Sequence, residues 1–282
     1  MTRKSSLGIL VGLQLAASWA TAQAAPTAIT WYGQSAFRLV TPNGHVVLFD
    51  PWIANPFNKS GAQDLAAIDK ADLILISHGH FDHVGQATAI AKKTKAKLVA
   101  SYELGGALVR WGGFPKEQAG YDSLGNVGGT LTFFDGEVRI TLVPAIHGSS
   151  VNAKELGAGT EETDQFAGNP GGFVVQIKNG PTLYHTGDTD VFGDMAELGR
   201  LHKIDYMLVC IGDHFTMGPE GAAEAVRLVG PVKAIPMHYG TFMPMMTGTP
   251  EQFAASLRAR KLGNKLQELE VGKPTVLTAV TP

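Results

Sequence analysis

The sequence predicts a mixed α/β (α+β) fold in which two β-sheets pack together under helices. Three observations carry this reading. Short β-like runs outnumber helical patterns, yet helical patterns are interspersed in both halves of the chain. One run, "ADLILIS" (71–77), is apolar almost throughout, as a strand covered on both faces must be. Two sheets facing each other, each with helices on its outer face, would bury all of these surfaces.

The elements begin behind a leader. Arg3 and Lys4 precede the apolar run "LGILVGLQLAASWA" (7–20) and the small residues of "TAQAA" (21–25). That order is the order of a secretory signal, and Ala22-Gln23-Ala24 sets cleavage after Ala24. A membrane anchor needs about 20 apolar residues; this run is shorter and contains Gln14 and Ser18. Residues 1–24 are therefore read as a cleaved signal peptide and 25–282 as a single domain, periplasmic or secreted, with no membrane partner. Loss of Arg3 and Lys4 takes the formal charge from −2 to −4. No basic run suited to gripping a phosphate backbone is present, which excludes nucleic acid as a partner. The only cysteine, Cys210, lies in "YMLVCIGD" and reads as a buried, inert thiol, so no internal disulfide framework is expected.

Strands are predicted at 28–33, 35–41 and 45–52, with Pro42-Asn43-Gly44 supplying turn chemistry for an antiparallel meander. The buried strand 71–77, a helix over 85–96 and a strand at 97–102 follow. The second half repeats the style, with strands at 138–144, 172–178, 181–185, 205–211 and 233–236. Two helices show their ends. In 218–231, Pro219 stands near the first turn and Gly230-Pro231 stops the helix. In 249–263, Thr249, Pro250 and Gln252 form a capping-box pattern.

The densest chemistry is "SHGHFDH" (77–83). Side chains two apart on an extended chain point the same way, so His78 and His80 can converge on one point, with Gly79 allowing close backbone approach. Asp82 and His83 follow where the chain turns towards the helix near Gly85 and can address a neighbouring point. Imidazole and carboxylate are ordinary ligands of divalent first-row metals, and four such groups in six residues suit two ions better than one. His147, Asp188 and His238 each lie at or beyond the end of a predicted strand and supply the missing coordination.

This series, with "GQSAF" (33–37), "LFDPW" (48–52), "PAIHGSS" (144–150), "YHTGDTDVFGDM" (184–195) and "IPMHYGTF" (235–242) in order, resembles the metallo-β-lactamase superfamily, in its UPF0173-like metal-dependent hydrolase branch. The resemblance spans about 28–245. It implies a four-layer αββα sandwich with His78, His80 and His147 on a first metal, Asp82, His83 and His238 on a second, and Asp188 bridging both. Asp50 matches a family carboxylate behind the site, where it would accept the free ring N–H of a ligand histidine. The chain departs from its relatives at Gln34, where they often carry histidine, and it has no cysteine ligand at Asp188, which argues against a dedicated β-lactamase.

The expected activity is an exported dinuclear hydrolase, holding two divalent ions, zinc first with manganese or iron as alternatives. A metal-bridging hydroxide would cleave a small-molecule ester, lactone or phosphodiester. Asp82 and Asp188 would orient it and take part in proton traffic. His214 in "GDHFTMG" is a candidate proton donor or substrate contact, and His185 belongs beside the ligands or in the core. His45 and His202 read as surface residues. The polar segment 151–169 reads as a loop near His147. The rival readings are an iron-containing redox enzyme of the same fold and a non-catalytic metal-binding protein.

Overall fold

The computed structural model describes residues 26–279; the signal peptide assigned to 1–24 lies outside the described residues. The first half runs β1 (Thr27–Trp31), β2 (Phe37–Val40), β3 (Val46–Phe49), α1 (Gly61–Ala66), β4 (Leu73–Leu75), α2 (Phe81–Val84), α3 (Ala87–Thr94), β5 (Lys97–Ser101), α4 (Tyr102–Trp111) and β6 (Leu124–Gly125). The second runs β7 (Thr130–Phe133), β8 (Val138–Pro144), β9 (Ser150–Val151), β10 (Gln165–Phe166), β11 (Gly171–Ile177), β12 (Thr182–His185), α5 (Met195–His202), β13 (Tyr206–Cys210), α6 (Pro219–Val229), β14 (Lys233–Met237), α7 (Pro250–Ala259) and β15 (Pro274–Leu277).

One sheet has seven strands in the order β15-β1-β2-β3-β4-β5-β6, the other six in the order β14-β13-β12-β11-β8-β7. In both, an antiparallel portion passes into a parallel one, at β3–β4 in the first and β12–β13 in the second. The meander of β1 to β3 forms as the turn residues predict, with Gly44 N–H donating to Thr41 O at 2.9 Å.

Alternation places the layers. On β3, Val47 and Phe49 join the core between the sheets, whereas Val46 and Leu48 join the core under α1, α3 and α4. On β4, Leu73 and Leu75 face the sheets and Ile74 faces the helices, so this strand is buried on both sides as its sequence requires. Helices α5, α6 and α7 cover the second sheet through Met195, Val226 and Phe253. The result is αββα. Truncating a fully buried side chain such as Phe49 to alanine would cost about 3–5 kcal/mol.

Helix ends follow their local chemistry. Thr249 Oγ1 accepts from Gln252 N–H at 3.3 Å and Gln252 Oε1 from Thr249 N–H at 2.9 Å, the reciprocal cap expected for α7. Gly230 takes the left-handed conformation (φ 69°) that ends α6. Among the described residues no helix is long and apolar enough to cross a membrane.

Candidate metal centre and active site

The centre lies past the C-terminal ends of β4, β8, β12 and β14, where the last backbone groups of a strand release side chains into a crevice. Beyond β4 the chain bends through His78, Gly79 and His80, the last in an extended conformation (ψ 147°), and then makes the single turn of α2, in which the His83 and Val84 N–H groups donate to His80 O at 3.0 Å. Asp82 and His83 thus sit on a helical turn of their own, ahead of the helix expected from Gly85. His78 Nε2 and His80 Nδ1 stand 2.9 Å apart. Gly79 between them is obligatory, because a Cβ there would come within 2.5 Å of Ser150 O.

The other ligands arrive on loops tied to this one. Ile146 N–H donates to Thr189 Oγ1 at 2.9 Å and Asp190 N–H to Ile146 O at 3.1 Å, which clamps the His147 loop to the Asp188 loop. Gly187 (φ 60°) makes the turn before Asp188, and its N–H donates to His185 Nδ1 at 3.1 Å. His185 is therefore a core residue that braces this turn, its Nε2 facing Ser35 O and its ring stacked on Phe49. His238 follows β14 in a left-handed conformation (φ 56°), held by its N–H to Gln34 O at 3.1 Å.

Three groups of ligand atoms result: His78, His80 and His147; His78, His83 and Asp188; and Asp82, His83 and His238. Asp188 Oδ2 joins them, at 3.8 Å from His147 Nε2, 3.2 Å from His83 Nε2 and 2.9 Å from His238 Nε2. Asp82 Oδ2 is 3.6 Å from His83 Nε2 and 3.4 Å from His238 Nε2. Although close, these approaches leave His83 Nε2, His238 Nε2 and Asp188 Oδ1 buried with no hydrogen-bond partner. Buried polar atoms left so are costly, and a cation would satisfy them. The nitrogen and oxygen donors thus fit divalent metal ions.

Protonation follows charge and burial. Burial lowers His78 far below its ordinary value, helped by the neighbouring His83, and also lowers His80 and His147. A lowered pKa leaves these three neutral and free to donate lone pairs. Burial pushes in the same sense on His83 and His238, but Asp188 and Asp82 outweigh it, holding His83 well above its usual value and His238 at about 9. Reciprocally, His238 and His83 overcome the burial of Asp188 and Asp82 and keep both carboxylates ionised.

Two residues behind the ligands set their orientation. Asp50 is completely buried and accepts from Ser77 N–H (2.8 Å), Ser77 Oγ–H (2.6 Å) and His83 Nδ1–H (2.7 Å). The last bond fixes the His83 tautomer with Nε2 facing the site, the role the sequence assigned to this carboxylate. Gln34, also fully buried, donates from Nε2 to Asp82 Oδ2 at 2.8 Å and accepts from the Thr241 hydroxyl. Its sequence position marked only a missing imidazole; the amide instead holds the second-set carboxylate. Gln34, Asp50 and His238 all have positive φ, a clustering of strained backbone usual around functional sites.

His214 stands apart, exposed on a turn with its ring edge-on to Phe215 at 4.4 Å. Cys210 is fully buried and belongs to no ligand group; burial, reinforced by Asp188, pushes its thiol up to about 12. His45 is not a bare surface residue, since it pairs with Glu137 at 2.6 Å and stacks on Phe134. That pair lines a cleft of about 850 Å³ at the opposite ends of β8 and β12, which holds none of the ligands. The candidate ligands His80, Asp82, His147, Asp188 and His238 instead line a smaller cavity of about 410 Å³. Segment 151–169 is bounded by the β9–β10 ribbon and lends Glu155 and Asp164 to this cavity.

Residues 45–239 match the β-lactamase superfamily domain, well over half of the chain. The chain belongs to the metallo-β-lactamase superfamily. Within it, the chain is 51% identical over 247 residues to the UPF0173 metal-dependent hydrolase of Thermodesulfovibrio yellowstonii, covering 88% of this chain and 91% of that protein. The solved structure of Igni18, a metallo hydrolase from Ignicoccus hospitalis, superposes with a TM-score of 0.74 at 31% identity, covering 89% of this chain and 98% of that one. An isothiocyanate hydrolase from Delia radicum gut bacteria shares the fold (TM-score 0.66, 18% identity; 89% of this chain, 100% of that one). This member of the superfamily is a metal-dependent hydrolase.

Proposed function

We propose that this protein is an exported dinuclear hydrolase acting on a small ester-type substrate. The observation that carries the reading is the convergence of two histidine-rich sets on Asp188, with buried Nε2 and carboxylate atoms left unpartnered. His78, His80 and His147 would hold one ion, Asp82, His83 and His238 the other, and Asp188 would serve both. Zinc suits such donors, as do manganese and iron. When bound, the two cations supply Lewis acidity, which makes hydroxide available near neutral pH and polarises the attacked oxygen. The chain does the rest. Asp50 keeps His83 in one tautomer, and Gln34 keeps Asp82 turned to the site. Asp82 and Asp188, both ionised, can accept a proton from attacking water and pass it on towards the leaving group. We place His214, beside the cavity residue Phe215, at the rim as a contact for the departing end of the substrate.

Export rests on the basic, apolar and small-residue order of 1–24. The test of activity is hydrolysis of a panel of 4-nitrophenyl esters, lactones and phosphodiesters by purified protein, repeated after chelation and again after adding metal back. Turnover that vanishes with chelator and returns with metal is expected. Turnover indifferent to chelator would overturn the reading.

A further inference from the structure

The cavity beside the ligands also carries a charge and shape preference, which rests on the hydrolase reading. Apart from ligands, its lining divides into two kinds. Phe81, Phe215, Phe242 and Met245 form an apolar wall. Phe242 meets Phe81 edge-on at 6.0 Å and Phe215 at 6.4 Å, and is stacked on Trp52 at 5.8 Å. Trp52 in turn packs edge-on against Phe81 at 5.6 Å, so the wall is propped from behind. Yet Phe81, Phe215 and Met245 remain 37%, 45% and 47% exposed, amid a chain that buries most of its large apolar side chains. A braced but uncovered aromatic surface in a cavity is a place for an apolar substrate group.

The remaining lining is Ser150, Glu155 and Asp164. Asn152 Nδ2 donates to Asp164 Oδ1 at 3.0 Å and holds this carboxylate in place. Segment 150–166 carries Glu155, Glu161, Glu162 and Asp164 against a single cation, Lys154, which is ion-paired with Glu162. No lysine or arginine is among the lining residues. A substrate carboxylate placed at the Glu155–Asp164 end, away from the scissile bond and from the metal-ligating residues, would therefore meet two acids with no lysine or arginine beside them to offset it.

We propose that the substrate is a carboxylic ester or lactone with an aryl or alkyl group on the Phe81–Phe215–Phe242 wall and an amino group facing Glu155 and Asp164. In the reaction, water adds across the acyl C–O bond: hydroxyl goes to the carbonyl carbon, the proton to the leaving oxygen. The acid product ionises, and the same two carboxylates repel it from the cavity.

The test uses three 4-nitrophenyl 3-arylpropionates whose ring bears an aminomethyl, a methyl or a carboxylate group, with bis(4-nitrophenyl) phosphate as the phosphodiester. Their uncleaved amide analogues are measured for binding by calorimetry. The aminomethyl ester is expected to exceed the carboxylate ester in kcat/KM by about tenfold or more at low salt, the ratio shrinking as salt rises. The amides should bind in the same order. In the double variant Glu155→Gln/Asp164→Asn both ratios should fall towards one. A carboxylate ester cleaved as well as the aminomethyl ester, or an order unchanged in the double variant, would overturn the charge assignment, and a phosphodiester cleaved as well as the aminomethyl ester would overturn the carboxylic ester assignment. Amides that bind in the expected order while no ester is cleaved would instead sink the hydrolase reading and leave the cavity's preference standing.

Discussion

Replacing Asp50 by asparagine isolates the part of the centre that the ligands alone do not explain. The substitution keeps size, and asparagine tolerates the positive φ of 38° at this position. What changes is one acceptor oxygen of a carboxylate that takes three hydrogen bonds at 2.6–2.8 Å. If the amide oxygen keeps the Ser77 N–H, its NH2 faces His83 Nδ1, which must then give up its proton. The His83 tautomer inverts, and the hydrogen moves to Nε2, where a metal should sit. If the amide flips, NH2 meets the Ser77 N–H and a buried donor goes unpaired, at about 1–3 kcal/mol. Losing such an outer partner typically costs 10–100-fold in metal affinity, or about 1.4–2.7 kcal/mol. The loss should fall mainly on the set built from Asp82, His83 and His238, while His80 and His147 keep the first set closer to native. Titration against a chromophoric chelator resolves the two affinities. Equal affinity at both sets, within about threefold of the parent, would refute the tautomer argument.

Gln34→Ala removes the side-chain amide that donates to Asp82 and should weaken metal at that set about tenfold, read by the same chelator titration. Gln34→Glu sets a second carboxylate against Asp82 and should do worse, increasingly so as pH rises. Metal binding should expel about two protons per chain from His83 and His238 near pH 7, measured by calorimetry in buffers of different ionisation enthalpy; release of none would contradict the assigned protonation. Both histidines are raised above the unfolded value of 6.5. The contribution of His238 to the metal-free fold is therefore complete below about 6.5 and lost as pH rises through about 9, and that of His83 is likewise lost only above its ordinary range. Thermal melts of chelated protein should fall across that window, and a flat profile would count against the pairing with Asp188.

The residues that converge at the centre were legible because each lies just beyond an apolar strand, and strand ends are where a sheet delivers side chains to solvent or ligand. The caps of α6 and α7 were legible for an equally local reason, the Pro219, Gly230, Thr249 and Gln252 pattern. Helix α4 was not, since Gly105 and Gly106 weaken its helical pattern; Gly105 is there because Leu124 packs within 2.6 Å of where its Cβ would be. The edge strand β15 depends on pairing with β1, Thr27 opposite Leu277, a contact across nearly the whole chain that no local pattern announces. Gln34 reaches Asp82 over 48 positions and its meaning appears only when β1, α2 and the loop after β14 meet. Glu155 and Asp164 lay in a segment whose polarity alone did not tell a lining from a free loop.

The most direct measurement is metal content by plasma mass spectrometry on protein purified without chelator or histidine tag. The account predicts about two divalent ions per chain, with both diminished in Asp188→Ala and the set of His78, His80 and His147 emptied preferentially in His80→Ala. A folded protein that stays metal-free after incubation with zinc, manganese and iron would contradict it.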